Sequence, residues 1–326
     1  MHPLRRARRV GFTAIACALV IRLFSAGIPE KLYFHLIQPN IDILLTKLET
    51  GHNVRFSSYI ENFSLDFTES PPPFLPEPTE PRLPVFSGEE DVGLFYASQK
   101  NPNIPALLAQ PLEWNLFSDD PAVLILHTHT TESYTKQGET YKETSSWRTL
   151  AEEYNMISIG QLVGTMLEQH EIGVIHDRQM HDYPSYNGSY TRARKTIRTM
   201  LEEYPGIRLI LDLHRDASGE ESRQMRTRAI INGESSAQLM VVIGTNHEHY
   251  EKNLSLGLKL HAQLERQAPG IMRPLQLRAQ RFNQDMNSGA LLIEVGAAGN
   301  THPEARLAAE QLALAIIALA KGTVME

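Results

Sequence analysis

The chain has 326 residues, 42% of them hydrophobic and 21% charged, enough for a sizeable core in one large domain or two. It carries 31 basic against 38 acidic residues; five of the arginines and no acid fall within residues 1–27, so the remainder holds 26 against 38, a net charge of −12. An acidic body of this kind excludes a nucleic-acid partner, which would need a basic face, and the single cysteine, Cys17, excludes a disulfide scaffold.

Residues 1–27 open with Arg5, Arg6, Arg8 and Arg9, followed by an apolar run from Val10 to Ile21, with Leu23 and Phe24 just beyond Arg22. A basic start before one apolar run is the pattern of a signal or membrane anchor. The reading favoured is an uncleaved single-pass anchor in the cytoplasmic membrane, with Arg22 snorkelling to the interface, over cleavage near Ser25-Ala26-Gly27. Either way the body is expected outside the membrane. Residues 28–119 read as a membrane-proximal segment, with an amphipathic helix at Ile41–Leu48. A spacer at about 70–84 runs Pro-Pro-Pro-Phe-Leu-Pro-Glu-Pro-Thr-Glu-Pro-Arg-Leu-Pro from Pro71. Such proline density gives a semi-rigid extended linker. The catalytic body is placed at 120–326.

That body alternates strands and helices. Val123–Leu126 is a fully apolar strand and ends in His127-Thr-His129-Thr-Thr-Glu132. A helix is expected from Tyr154 to about His170, stopped by Gly173, with a second strand at Val174-Ile175. An arginine-rich helix, Ser189–Tyr204, stops at Pro205-Gly206. Ile207–Leu213 is a third strand and ends at His214-Arg215-Asp216. Met225–Ile231 and Leu239–Ile243 read as further strands, Asn253–Gln267 as a helix, Leu291–Val295 as a buried strand and Ala305–Ala320 as a closing helix. Alternation of this kind predicts an α/β fold with a mostly parallel sheet flanked by helices.

Open α/β sheets build their sites at the carboxyl ends of strands. His127, His129 and Glu132 follow the first strand, His214 ends the third, and Glu294 interrupts the apolar run Leu291–Val295. A charge in such a strand is costly unless it works or is paired, for instance with Arg281. His127, His129 and Glu132 are all zinc-ligand types, and two histidines with one glutamate leave a fourth position open for water. A separate carboxylate, Glu294, has the chemistry to take a proton from that water and give it to a leaving nitrogen. Together these parts hydrolyse amides.

The ordered series His-Thr-His-Thr-Thr-Glu-Ser-Tyr134, His176-Asp177, His181-Asp-Tyr-Pro-Ser-Tyr-Asn-Gly-Ser-Tyr190, Asp212-Leu-His-Arg-Asp216, Gly244-Thr-Asn-His247, Arg281-Phe-Asn-Gln284 and Leu292-Ile-Glu-Val-Gly296 resembles the stage II sporulation protein P family over about 120–320. The resemblance implies a zinc amidase-like fold and a membrane-anchored, zinc-dependent peptidoglycan hydrolase. Its activity would be that of an N-acetylmuramoyl-L-alanine amidase with added cross-link endopeptidase action, exercised in forespore engulfment. Stage II sporulation protein D, a lytic transglycosylase, and stage II sporulation protein M are its implied partners. It assigns zinc to His127, Glu132 and His214 and catalysis to Glu294; His129, a ligand type in the same stretch, is the reserve ligand. Zinc amidases place their ligand glutamate at the start of the first helix, where Glu152 and Glu153 stand, but Glu132 lies inside the family motif and is preferred.

Arg215, counted with the catalytic group, and Asp216 are read as a grip on a stem-peptide carboxylate, against a helix cap. Tyr183, Tyr186, Asn187 and Tyr190 form a loop suited to stacking on sugar or peptide, and His247 is a further substrate contact. The competing class is a catalytically idle cell-wall-binding or scaffold component.

Overall fold

The computed structural model describes residues 94–322, apart from 99, 113, 119, 139–140, 146, 218 and 221–222. The expected anchor at 1–27, the helix at 41–48 and the proline-rich spacer lie outside the described residues. Among the described residues no helix is long and apolar enough to cross a membrane.

Seven strands make the central sheet: β1 (Leu94–Ala97), β2 (Val123–Leu126), β3 (Val174–His176), β4 (Leu209–Asp216), β5 (Leu239–Gly244), β6 (Leu275–Arg278) and β7 (Ala290–Ala297). Their order is β1-β6-β5-β7-β4-β2-β3. Every neighbouring pair is parallel except β5 with β7. The expected α/β fold with a mostly parallel sheet is therefore present. The one reversal has a consequence for function: β2, β3, β4 and β7 point their carboxyl ends at one edge, and β1, β5 and β6 at the other. The sheet also takes in β1, upstream of residue 120.

Among the described residues five helices accompany the sheet: α1 (Ile104–Ala109), α2 (Met156–Glu168), α3 (Ser189–Glu203), α4 (Tyr250–Gln267) and α5 (His302–Ala320). α2 starts where Asn155 caps it, accepting from the Ile157 N–H at 2.9 Å. α5 starts with a reciprocal cap between Thr301 and Glu304. Side chains alternate across a strand, so the sheet has two unlike faces. On one, Val123, Ile125, Leu209, Leu211, Val241, Ile243, Leu291 and Ile293 join α2, α4 and α5 in the main core. On the other, Leu124, Leu126, Ile210 and Ala290 meet Ala193 and Ile197 of α3. There Met240, Val242 and Leu292 are covered by Phe282, from the loop before β7. Helices on both faces explain why all four residues of β2 are buried.

The strand expected at Met225–Ile231 is shorter and lies elsewhere. Only Ala229–Ile231 is extended, and it pairs antiparallel with Glu234–Ser236 outside the main sheet. The cause is the turn Asn232-Gly233, whose positive φ angles of 51° and 85° close a tight hairpin.

Candidate active site

β2 stays in the ladder as far as Leu126, which pairs with Asp212. Beyond it, side chains take over the hydrogen bonding. His127 Nδ1 meets the Leu213 carbonyl at 3.1 Å. Thr128 gives both its N–H (2.8 Å) and its hydroxyl (2.6 Å) to the Asp212 carboxylate. The chain then turns, with the Glu132 N–H on the His129 carbonyl at 3.1 Å.

This turn separates the two histidines. His127 continues the side-chain alternation of Ile125 and points toward α2, where its Nε2 lies 3.0 Å from His176 Nε2. His129 goes the other way. Its ring stands 5.1 Å from His214, edge to face, and stacks on Tyr186 at 4.6 Å. Its nitrogens meet only hydroxyls, Tyr186 at 3.2 Å and Ser189 at 3.4 Å. Of the expected residues, the structure thus gathers His129, Glu132, His214 and Glu294, with His127 behind them.

His214 projects from β4 on the α3 side. Glu132 Oε2 is 3.7 Å from its Nδ1 and Asp212 Oδ1 is 2.9 Å from its Nε2. The Asp212 contact is close but off hydrogen-bond geometry, so Nε2 keeps no hydrogen-bond partner. Burial pulls the imidazole pKa down, but the Asp212 and Glu132 carboxylates outweigh it and hold the ring protonated well above its usual range. Burial likewise pushes Glu132 up, and Arg215 and His214 more than reverse it, leaving its pKa low. His129 falls to about 4, chiefly through burial.

Glu294 is the residue on β7 paired with His214 on β4, so both side chains share one face. Its Oε2 is enclosed without a hydrogen-bond partner. The ion pair with Arg281 does not form; Arg281 instead lies 3.9 Å from Asp285. Burial drives the Glu294 pKa up to about 8, against the pull of the His214 charge.

Arg215 turns inward. Its Nε gives to the Ser133 carbonyl and Nη2 to the Trp147 carbonyl, each at 3.0 Å, and Nη1 is 3.6 Å from Glu132. Only 5% of it is exposed, so it presents no open face to a peptide carboxylate. Asp216 is held by Arg273 at 2.8 Å. Tyr183 and Tyr186 are exposed, at 47% and 55%, and Asn187 is exposed with them. Tyr190 sits deeper, stacked 6.5 Å from His214. His247 follows β5, whose carboxyl end is at the edge opposite the site. Both its ring nitrogens are buried without partners, and burial lowers its pKa. Glu152 and Glu153 form a single turn ahead of α2, and Glu152 pairs with Arg178.

Sequence reasoning passed over three residues here. Asp212 was visible as a buried carboxylate two positions before His214, hence on the same face. Asp182 was visible only as part of the His181-Asp-Tyr series. Arg148 gave no signal; it arrives from a hairpin, pairs with Asp182, reaches Glu132 at 3.2 Å and lies over the Tyr186 ring.

Among the described residues no group of three or more His, Cys, Asp or Glu is arranged to close on a metal ion as it stands. The donor types nonetheless fit zinc: the His129 and His214 imidazoles stand together, with the Glu132 carboxylate on the Nδ1 side of His214 and Asp212 on the Nε2 side.

The family model described as stage II sporulation protein P matches residues 86–317. A relative of that name from Bacillus subtilis (strain 168) is 29% identical over 208 residues, covering 60% of this chain and 50% of that one. The chain thus spans about half the length of this relative. Three solved structures resemble the chain at low TM-scores. An N-acetylmuramoyl-L-alanine amidase AmiC2 of Nostoc punctiforme has a TM-score of 0.37 and 13% identity, over 61% of this chain and 97% of that one. An N-acetylmuramoyl-L-alanine amidase from Clostridium difficile 630 has 0.39 and 12%, over 63% and 98%. The CwlD amidase from Clostridioides difficile, in complex with the GerS lipoprotein, has 0.39 and 12%, over 62% and 98%.

Proposed function

The chain belongs to the stage II sporulation protein P family, and from that premise we propose that it is a zinc-dependent peptidoglycan hydrolase that cuts stem peptides from glycan strands as an N-acetylmuramoyl-L-alanine amidase. The single observation that carries this is the meeting of Glu294, His214, Glu132 and His129 at the carboxyl edge of β2, β4 and β7. His129, Glu132 and His214 are the residues that would hold zinc. His127, the first histidine of the motif, is set aside because its ring is engaged on the other face. A zinc ion held there would supply Lewis acidity toward the scissile carbonyl and toward water.

The rest falls to the chain's own residues. Glu294, facing His214 from the neighbouring strand, has the chemistry to accept a proton and return it to the leaving nitrogen. Asp212 orients His214 from behind, as outer carboxylates orient ligand histidines. Tyr183 and Tyr186 offer exposed rings for sugar or peptide. Cross-link cleavage, a membrane anchor that puts the body outside the cytoplasmic membrane, and work in engulfment with stage II sporulation proteins D and M complete the reading.

One observation favours a second reading, an idle wall-binding component: Glu132 is already neutralised by Arg148, Arg215 and His214. The deciding experiment pairs zinc content of the purified full chain with mass spectrometry of products from purified sacculi. The enzyme reading expects one zinc-dependent activity releasing free stem peptides. Zinc-free protein that binds sacculi and releases nothing would overturn it in favour of the scaffold.

A further inference from the structure

We propose that His127, His176 and Gly160 form a strut behind the site that holds the backbone at Leu213 and so aims His214. This rests on the reading above and assigns His127 as a positioning residue.

Hydrogen-bond roles fix the tautomers of the two rings. A carbonyl only accepts, so His127 Nδ1, 3.1 Å from Leu213 O, must carry the proton. His127 Nε2 is then a bare acceptor. At 3.0 Å it needs a donor, so His176 Nε2 carries a proton too. That leaves His176 Nδ1 without a proton, and His176 Nδ1 is the ring atom of the pair that is buried without a partner. A bare lone pair tolerates isolation better than an orphaned N–H. Two contacts and one unpartnered atom therefore agree on one tautomer for each ring.

The third member is a position without a side chain. A Cβ on Gly160 of α2 would stand 2.5 Å from His127 Nε2 and 2.6 Å from His176 Nε2. Only glycine lets the two rings meet there. One turn along the same helix, a Cβ on Gly164 would meet Val174 at 3.5 Å and Ile125 at 3.7 Å, ordinary contact. The strut acts where the β2 ladder has stopped, so the His127 ring replaces the missing backbone donor to Leu213. The next residue is His214, facing Glu294 on β7. Moving Leu213 moves His214 against Glu132 and Glu294.

The test uses the full chain. Long-range proton–nitrogen spectra of nitrogen-15 histidine should show His127 protonated at Nδ1 and His176 at Nε2. Gly160→Ala should erase that pattern and lower kcat or zinc affinity by about 10- to 100-fold, the usual effect of disturbing a ligand's support, with KM little changed. Gly164→Ala should match wild type in all three. Should Gly160→Ala not fold, His176→Gln, whose amide can donate to His127, should keep most activity that His176→Leu loses. Wild-type kcat and zinc affinity in Gly160→Ala, or in His176→Leu, would overturn the proposal, as would a His127 protonated at Nε2. A wild-type chain that binds zinc but releases no stem peptide would instead remove the functional reading, leaving tautomers and zinc affinity to judge the strut.

Discussion

The two faces of the sheet are built from the same strands and do different work. On the α2, α4 and α5 side, alternate residues of β2, β4, β5 and β7 are aliphatic and merge into one continuous core. On the α3 side, the same strands give way to Asp212, His214 and Glu294. Among the described residues α3 covers that side beside a loop bearing Phe282. The contrast shows how a site is made affordable: the costly buried charges sit on one face, and the other supplies stability. It also explains the two histidines of the first motif. His127 falls on the core face, against Leu213 and His176, while His129 falls on the face of His214.

The comparison can be broken by mutating each face in turn. The largest effect is expected from His214→Ala. It should abolish release of stem peptide and lower bound zinc toward zero in a chain that still folds, checked by metal analysis and circular dichroism. Normal zinc and activity in that variant would detach His214 from the site.

Next comes Glu294→Gln, which should keep zinc and sacculus binding while the rate falls about 10²- to 10⁴-fold, as for loss of a general base. The same variant tests burial. A carboxyl raised from 4.5 to about 8 in the folded chain binds its proton more tightly there than unfolded. In metal-free protein its contribution is fully present below pH 4.5 and is lost as pH rises through 8. The loss is on the order of 5 kcal/mol at most. Denaturant titrations across pH 5 to 8 should show a flatter profile in Glu294→Gln; an unchanged slope would mean the carboxyl is not held up by burial.

On the core face, Leu211→Ala should cost about 2–5 kcal/mol of stability, read by urea unfolding, with zinc per folded chain unchanged. Loss of zinc without loss of stability would erase the distinction between faces. The smallest effect is expected at the rim. Tyr186→Ala removes an exposed ring worth roughly 0.5–1.5 kcal/mol of stacking. It should raise KM for peptidoglycan a few-fold and leave kcat in place. A fallen kcat would put Tyr186 closer to the chemistry than its position over His129 suggests.

Much of this arrangement was legible in the residues. Val123–Leu126 and Leu291–Val295 could only be strands covered on both sides, and a histidine or glutamate at such a strand's end marks an edge. Hence His214 and Glu294 were expected at the site, and they pair across β4 and β7. What the residues hid was long-range. No local pattern reports that β5 runs against β7, yet that reversal sends His247 to the far edge. β6, Leu275–Arg278, is half-exposed on alternate residues and drew no notice beside the apolar strands. Arg215 lay in a reactive motif but spends its guanidinium on the Ser133 and Trp147 carbonyls. Arg148 comes from a polar stretch and meets Glu132 only in three dimensions. The division between His127 and His129 was half visible. Alternation from Ile125 puts His127 on the core side, but the turn that carries His129 across is a tertiary matter.

The most direct test of that division compares zinc stoichiometry, at saturating zinc, in His129→Ala and His127→Asn. Asparagine keeps a donor for the Leu213 carbonyl. At saturating zinc His129→Ala should hold none and His127→Asn one equivalent; the reverse result, zinc kept without His129 and lost without His127, would contradict that division.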